Sequence, residues 1–229
     1  MKPTLVLLPG MHGTGDLFAP LLAALDPVVS TVVVGYPDEP LDYAAHEKLA
    51  RAALPANERY LVLGESFSGP IAIAIAAAAP RGLLGYVLCC SFVRTPRPIL
   101  SQLWPMLGVV PPRRIPPALA NYFLMGRFAT PQTRRLLAGA LRRVSSTTLA
   151  ARLKAMARID VGSLASRAGV PSLYLRATQD RVVPPRAATA FAKLAPQARV
   201  VDIEGPHCLL QCNAPVAASV LERFLSELE

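Results

Sequence analysis

The sequence predicts an α/β fold built on a doubly wound, mostly parallel sheet of about six strands. Three observations carry that expectation. Short apolar, β-branched runs recur along the chain, helix-like segments separate them, and the runs are continuous rather than alternating in polarity. A strand covered by helices on both faces has no solvent side, so it reads as an unbroken apolar run. Strand–helix–strand alternation is the pattern of parallel sheets, whose crossovers need a dozen or more residues.

Taken in order, the expected strands are Thr4–Leu8, Val29–Gly35, Tyr60–Gly64, Gly85–Cys90, Ser172–Ala177 and Arg199–Ile203. The helices between and after them fall at about Leu17–Leu25, Tyr43–Leu54, Ser68–Ala79, Arg186–Leu194 and Pro215–Leu228. From Arg94 to Gly169 the rhythm breaks and no strand is convincing. This interval opens on Thr95-Pro96-Arg97-Pro98 and contains Pro111-Pro112 and Pro116-Pro117, so its first half is kinked. Its second half, about Pro131–Ile159, reads as a helix pair. A structureless loop of that length is uncommon in a compact domain. The expected organisation is therefore a core of residues 1–93 and 170–229 with a helical cap, 94–169, inserted after the fourth strand.

The 229 residues are 52% hydrophobic and 17% charged, which excludes general disorder and allows a core without disulfide or metal staples. No run of about 18 apolar residues occurs, so no membrane-spanning helix is expected. The apolar stretch Thr4–Leu8 breaks at Pro9-Gly10, too short for a signal peptide, and the chain is expected to be cytoplasmic. Four cysteines without a CxxC pair suggest neither zinc nor a disulfide framework, but reduced thiols used as small hydrophobes. The net charge of +9 is unevenly spread. Residues 66–159 hold twelve Arg and one Lys but no acid, a charge of +13, and the rest of the chain carries −4. The excess sits where the cap is expected.

The strongest chemical signal is Gly64-Glu65-Ser66-Phe67-Ser68-Gly69. It follows an apolar strand and precedes a helix rich in Ala and Ile. A serine on such a sharp turn has its hydroxyl thrust out at the carboxyl end of the sheet, and small flanking residues let the turn close. The usual G-x-S-x-G ends here in Ser68, with Gly69 one further on. The helix start behind Ser66 offers backbone N–H groups to a developing oxyanion.

A nucleophilic serine needs a base, and the base an orienting carboxylate. Among three histidines, His207 follows the last expected strand, in Gly205-Pro206-His207-Cys208. Asp180 follows the strand before it. Either residue taken alone is as easily a solvated loop residue or a cap. Together with Ser66 they give three suitable types, each just past the carboxyl end of a strand, where sites of open α/β sheets lie. Leu7-Leu8-Pro9-Gly10-Met11-His12-Gly13-Thr14-Gly15 forms a glycine-rich bend after the first strand. It can aim the Met11 N–H at the same carbonyl oxygen as the Phe67 N–H. His12 is either a second polar group at the mouth of the site or an ordinary turn histidine. The G-x-G-x-x-G spacing and a Walker lysine are absent, so phosphate binding is a poor reading of this loop.

With these motifs the whole chain resembles the α/β-hydrolase superfamily, in its compact esterase and acyl-transfer branch with a cap. The resemblance implies Ser66 as nucleophile, Asp180 as acid, His207 as base, and the Met11 and Phe67 amides as oxyanion hole. It also implies that the first strand here matches the family's third, and that Pro9-Gly10 replaces the family's His-Gly. No metal or organic cofactor is implied. Ser66 disfavours the epoxide hydrolase and dehalogenase chemistries, which use a carboxylate nucleophile. A cap without acids from Arg94 through Ile159 disfavours aminopeptidase action.

The expected function is hydrolysis of carboxylic esters or thioesters of small to medium acyl groups. Arg134, Arg135, Arg142 and Arg143 are candidate contacts of an anionic substrate or partner. They are similar to the arginines in the cap of pimeloyl-[acyl-carrier protein] methyl ester esterases, which implies an acidic acyl carrier protein as possible partner. Trp104 and Phe128 are candidates for an apolar acyl pocket or for the cap's own core. A basic docking module for a membrane surface or a protein, with secondary catalysis, is the alternative. No nucleic-acid motif accompanies the charge, and no nucleic-acid partner is expected.

Overall fold

A computed structural model of the chain describes residues 3–96 and 116–228. Six strands form one sheet: β1 (Thr4–Leu8), β2 (Thr31–Val33), β3 (Tyr60–Glu65), β4 (Leu83–Cys89), β5 (Ser172–Ala177) and β6 (Arg199–Ile203). Their order is β2-β1-β3-β4-β5-β6, and every pairing is parallel. The helices are α1 (Ala19–Ala24), α2 (Tyr43–Ala52), α3 (Gly69–Ala77), α4 (Pro117–Leu124), α5 (Pro131–Arg142), α6 (Ser146–Met156), α7 (Gly162–Ala165), α8 (Arg186–Leu194), α9 (Leu209–Cys212) and α10 (Ala214–Glu227).

The continuous apolar strands have the predicted cause. Successive side chains of β1 go to opposite faces, and both faces are covered. Val6 and Leu8 join Val62, Ile71, Ile75 and Phe191 in one core layer. Leu5 and Leu7 join Leu61, Leu63, Leu221 and Phe224 in the other. β2 is shorter than the expected Val29–Gly35. It lies at the sheet edge, pairs only with Leu5–Leu7 of β1, and leaves Thr31 and Val33 exposed. β6, at the other edge, is also largely exposed. Edge position, not sequence, decides that these runs lack a second neighbour.

In the 94–169 interval the described residues hold the helices α4 to α7 and an isolated bridge between Arg94 and Asp160. The expected helix pair is α5 and α6. Thr130 opens α5 with a capping box to Thr133 and Pro131 behind it, and Ser145 caps α6 through the Thr148 amide. Trp104 lies outside the described residues. Met125, Leu137 and Ala140 pack on Leu17 and Cys208. The Cys208 N–H donates to Leu124 O at 2.8 Å, and Arg181 donates to Tyr122 O at 2.8 Å. These helices therefore rest on the loops at the carboxyl end of the sheet. Among the described residues no helix is long and apolar enough to cross a membrane.

The chain leaves β1 for β2 on one side and returns to place β3 on the other. The switch in winding direction lies between β1 and β3, and in open α/β sheets ligands bind beyond the carboxyl ends of the strands at such a point.

Candidate active site

Sheet register sets the site. Leu8 pairs with Gly64, Glu65 with Cys89, and Ala177 with Ile203. These five strands end nearly level, so the residues beyond β1, β3, β5 and β6, namely Met11, Ser66, Asp180 and His207, emerge at the carboxyl end of the sheet.

Ser66 follows β3 with φ = 48°, in the left-handed region unfavourable to a residue with a Cβ. The turn is held by its surroundings. A Cβ on Gly64 would meet Ser68 O at 2.5 Å, and one on Gly69 would collide with the Ser91 side chain. Gly69 thus takes over the close approach that the usual pattern gives to the residue before it. Ser68 is fully buried, its hydroxyl 2.5 Å from Pro9 O and 2.9 Å from the Tyr36 hydroxyl. The departure from G-x-S-x-G therefore has a structural use: Ser68 ties the serine turn to the loop after β1. Ser91 Oγ donates to Ser66 O at 2.6 Å.

Ser66 Oγ lies 2.9 Å from His207 Nε2. His207 Nδ1 lies 2.9 and 3.1 Å from the two Asp180 oxygens. Asp180 Oδ1 also accepts from the Val182 and Val183 amides, both at 2.8 Å, which fixes the carboxylate in its loop. Burial opposes the charge on Asp180, but His207 and these amides outweigh it and hold the carboxyl below its ordinary value. Burial likewise opposes the His207 imidazolium. The Asp180 charge and hydrogen bond outweigh it, Glu65 adds to them, and the ring is held above its ordinary value.

The loop after β1 closes through a hydrogen bond from Gly13 N to Gly10 O at 2.9 Å. Among the described residues the Met11 amide has no backbone acceptor, whereas Met11 O accepts from Arg152 at 2.9 Å. Phe67 stands in the first turn after Ser66, where amides have no intrahelical partner. Its ring stacks on Tyr43 with centroids 4.6 Å apart and meets the edge of His46 at 5.2 Å, so its backbone is gripped.

Arg134, Arg135, Arg142 and Arg143 are all exposed, but Arg143 pairs with Asp16. Arg134 lines a cavity of about 350 Å³ with Arg127, Arg181, Tyr122 and Asn121. Phe128 is half-buried beneath Arg127, whose guanidinium lies 5.0 Å from its ring centroid.

Arg152 was not expected at the site. It is fully buried on α6 and donates to Met11 O and, at 2.8 Å, to Pro37 O. Thr148, Leu149 and Arg152 are the buried residues of α6. That stripe of three- and four-residue spacings is the signal that marks Arg152 as inward-facing. Glu65, Tyr36 and Ser91 were also missed, although a carboxylate closing an otherwise apolar strand is itself conspicuous.

Cys90, Asp180 and His207 offer ligand atoms within 4.8 Å of one another. Asp180 and His207 are committed to each other, and contact with Cys89, with burial, keeps the Cys90 thiol protonated. The group is therefore suited to moving a proton rather than to holding a cation. All four cysteines are free.

A family model described as the alpha/beta hydrolase family matches residues 5–219. The chain is 28% identical over 253 aligned residues to a pimeloyl-[acyl-carrier protein] methyl ester esterase of Xanthomonas axonopodis pv. citri (strain 306), covering 99% of this chain and 96% of that protein. A protein of the same name from Xylella fastidiosa (strain M23) is 28% identical over 245 residues, with the same coverage. Among solved structures, the esterase RhEst1 from Rhodococcus sp. ECU1013 superposes with a TM-score of 0.80 at 21% identity, covering 100% of this chain and 92% of that one. The enol-lactonase from Burkholderia xenovorans LB400 does so with a TM-score of 0.79 at 17% identity, covering 99% and 92%.

Proposed function

Because the chain belongs to the alpha/beta hydrolase family, we propose that it is a serine hydrolase of carboxylic esters or thioesters of small to medium acyl groups, working through an acyl-enzyme. The observation that carries this reading is the line from Ser66 Oγ to His207 Nε2, and from His207 Nδ1 to Asp180, each step 2.9 Å.

His207 takes the Ser66 proton as Oγ attacks the ester carbonyl. Asp180 keeps Nδ1 protonated, so that Nε2 is the basic atom, and stabilises the imidazolium that forms. The Met11 and Phe67 amides receive the oxyanion. The imidazolium then protonates the departing alcohol or thiol. Water, deprotonated by the same ring, attacks the acyl-enzyme and releases the acid. The raised affinity of His207 for protons favours its protonated form in both transition states.

The test is hydrolysis of p-nitrophenyl esters from acetyl to dodecanoyl by the wild type and Ser66→Ala. Expected is turnover by the wild type and a loss of about a thousandfold or more in kcat/KM in the variant. Full activity in Ser66→Ala overturns the assignment.

A second reading narrows the substrate to an acyl group carried on an acidic carrier protein, as in the printed name of the relatives. The basic segment supports it, with Arg134, Arg127 and Arg181 meeting around one cavity. In this reading the 94–169 segment acts as a cap, and its exposed arginines meet the carrier.

A further inference from the structure

Two buried polar groups lie beside the serine, and their relation to one another has no part in the mechanism above. β1 and β3 run side by side in register, and His12, in the loop after β1 and next to Met11, faces Glu65, the last residue of β3 and next to Ser66. Both side chains are buried, at 8% and 6% exposure, and His12 Nε2 lies 3.9 Å from Glu65 Oε2. Neither atom has another hydrogen-bond partner among the described residues. The Thr14 amide donates to His12 Nδ1 at 3.2 Å, so the hydrogen of the neutral ring belongs on Nε2. A donor and an acceptor, both shut off from solvent, thus face each other across a gap slightly too long for a hydrogen bond. The other Glu65 oxygen is fixed by Gln211, whose amide donates to it at 2.9 Å and to Leu17 O at 3.1 Å. Gly10 lies against the pair: a Cβ there would be in ordinary contact with both, 3.4 Å from His12 Nε2 and 3.7 Å from Glu65 Oε2.

We propose that Glu65 and His12 are positioning residues of the hydrolytic site. The Glu65 carboxylate holds the His12 ring, and through it the loop that presents the Met11 amide, while its charge stabilises the imidazolium that His207 becomes during turnover. The proposal rests on the reading of Ser66, His207 and Asp180 given above. Charge supports it. Burial opposes ionisation of Glu65, yet His12 and Gln211 outweigh it and keep the carboxyl ionised below its usual range. Glu65 in turn adds to Asp180 in favouring protonated His207. The other titratable groups that sense this charge are Cys89 at the end of β4 and Cys208 beside His207, both raised and so neutral. Geometry agrees, because Glu65 immediately precedes Ser66, whose Oγ lies 2.9 Å from His207 Nε2.

The test is the pH dependence of kcat and kcat/KM for a p-nitrophenyl ester in the wild type, Glu65→Gln, Glu65→Asp and His12→Gln. Without the Glu65 charge the His207 imidazolium is less stable. The acid limb of Glu65→Gln therefore moves to lower pH by about half a unit, and kcat falls about tenfold with KM little changed. Glu65→Asp keeps the charge, so its limb stays in place while kcat falls. His12→Gln lowers kcat without moving the limb. A merely structural Glu65 would leave the limb of Glu65→Gln on that of the wild type, and that result overturns the proposal, as does an unchanged kcat in His12→Gln. Where circular dichroism shows Glu65→Gln unfolded, Glu65→Asp decides: reduced kcat on an unmoved limb supports the pair, and unchanged kcat overturns it. A p-nitrophenyl phosphonate keeps the two readings apart. Attack by Ser66 forms an Oγ–P bond and releases one equivalent of p-nitrophenol. A wild type that does not react refutes the nucleophile itself. A wild type that reacts, with an unmoved limb in Glu65→Gln, refutes only the positioning pair.

Discussion

Ser66 is held at φ = 48°, a conformation that costs a residue with a Cβ about 1–2 kcal/mol. Nearby contacts impose it: Ser68 on Pro9 and Tyr36, and Ser91 on the Ser66 carbonyl. Ser66→Gly should relieve the strain and Ser66→Ala should not, although both remove the hydroxyl. Urea unfolding is expected to show the glycine variant about 0.5–1 kcal/mol more stable than the alanine variant, with neither turning over ester. The pH dependence belongs to this scale too. His207 is raised above 6.5 in the fold, because Asp180 outweighs burial. The ring must be neutral to act as base. Hence kcat/KM should rise with pH through a midpoint above 6.5 and be lost as pH falls through it, which a profile with p-nitrophenyl acetate measures. Ser66, Asp180 and His207 were legible in the sequence as candidates because strand ends constrain them: a site residue of an open parallel sheet stands just past an apolar run. Glu65 stands in the same position and was read only as a neighbour of the serine, since no local pattern announces a buried carboxylate's partner 53 residues away.

At the scale of elements, α6 is held to the loop after β1 by one side chain. Arg152 bonds to Met11 O and Pro37 O, and its guanidinium lies 6.0 Å from the Tyr36 ring centroid. A Cβ on Gly13, at φ = 74°, would collide with that guanidinium, so the glycine and the arginine depend on each other. Arg152→Leu strands two buried carbonyls and should cost about 2–4 kcal/mol in denaturant unfolding. It should also lower kcat more than it raises KM, because Met11 O fixes the peptide beside the amide proposed to receive the oxyanion. Arg152→Lys should not rescue either effect, since one ammonium cannot span both carbonyls as the planar fork does. The six strands were legible because burial on both faces writes itself as continuous apolar runs. The extent of β2 was not, because only the assembled sheet decides that Val29–Gly35 has a single neighbour. Arg152 is one of thirteen basic residues in the 66–159 stretch, and the charge pattern does not single it out. Its burial depends on two carbonyls brought to it from distant loops.

For the whole molecule, the segregation of charge legible in the sequence acquires a second meaning in the fold. The basic segment is joined to the acidic remainder by Arg94–Asp160, Arg127–Glu204 and Arg143–Asp16, all substantially exposed. Pairs of this kind contribute little each, about 0–1 kcal/mol. Together they absorb part of the positive charge, and Arg127–Glu204 and Arg143–Asp16 tie the helical segment to the core. Arg134, Arg135, Lys154 and Arg158 are exposed and have no ion-pair partner among the described residues, and they carry the surplus outward. A surplus of one sign on one segment raises the encounter rate with an acidic partner, and that gain is screened by salt. Arg142 and Arg143 are the poorer place to test it, because reversing Arg143 also breaks its contact with Asp16. Arg134→Glu with Arg135→Glu leaves the described ion pairs intact. With an acyl ester borne on an acidic carrier protein, this double variant should lose about tenfold in kcat/KM at low ionic strength, and the deficit should shrink toward parity near about 0.5 M salt. With p-nitrophenyl esters it should match the wild type at every salt concentration. Equal losses on the two substrates would mean that the arginines act on the fold or the serine site, and the carrier reading would fall while the ester hydrolase stood.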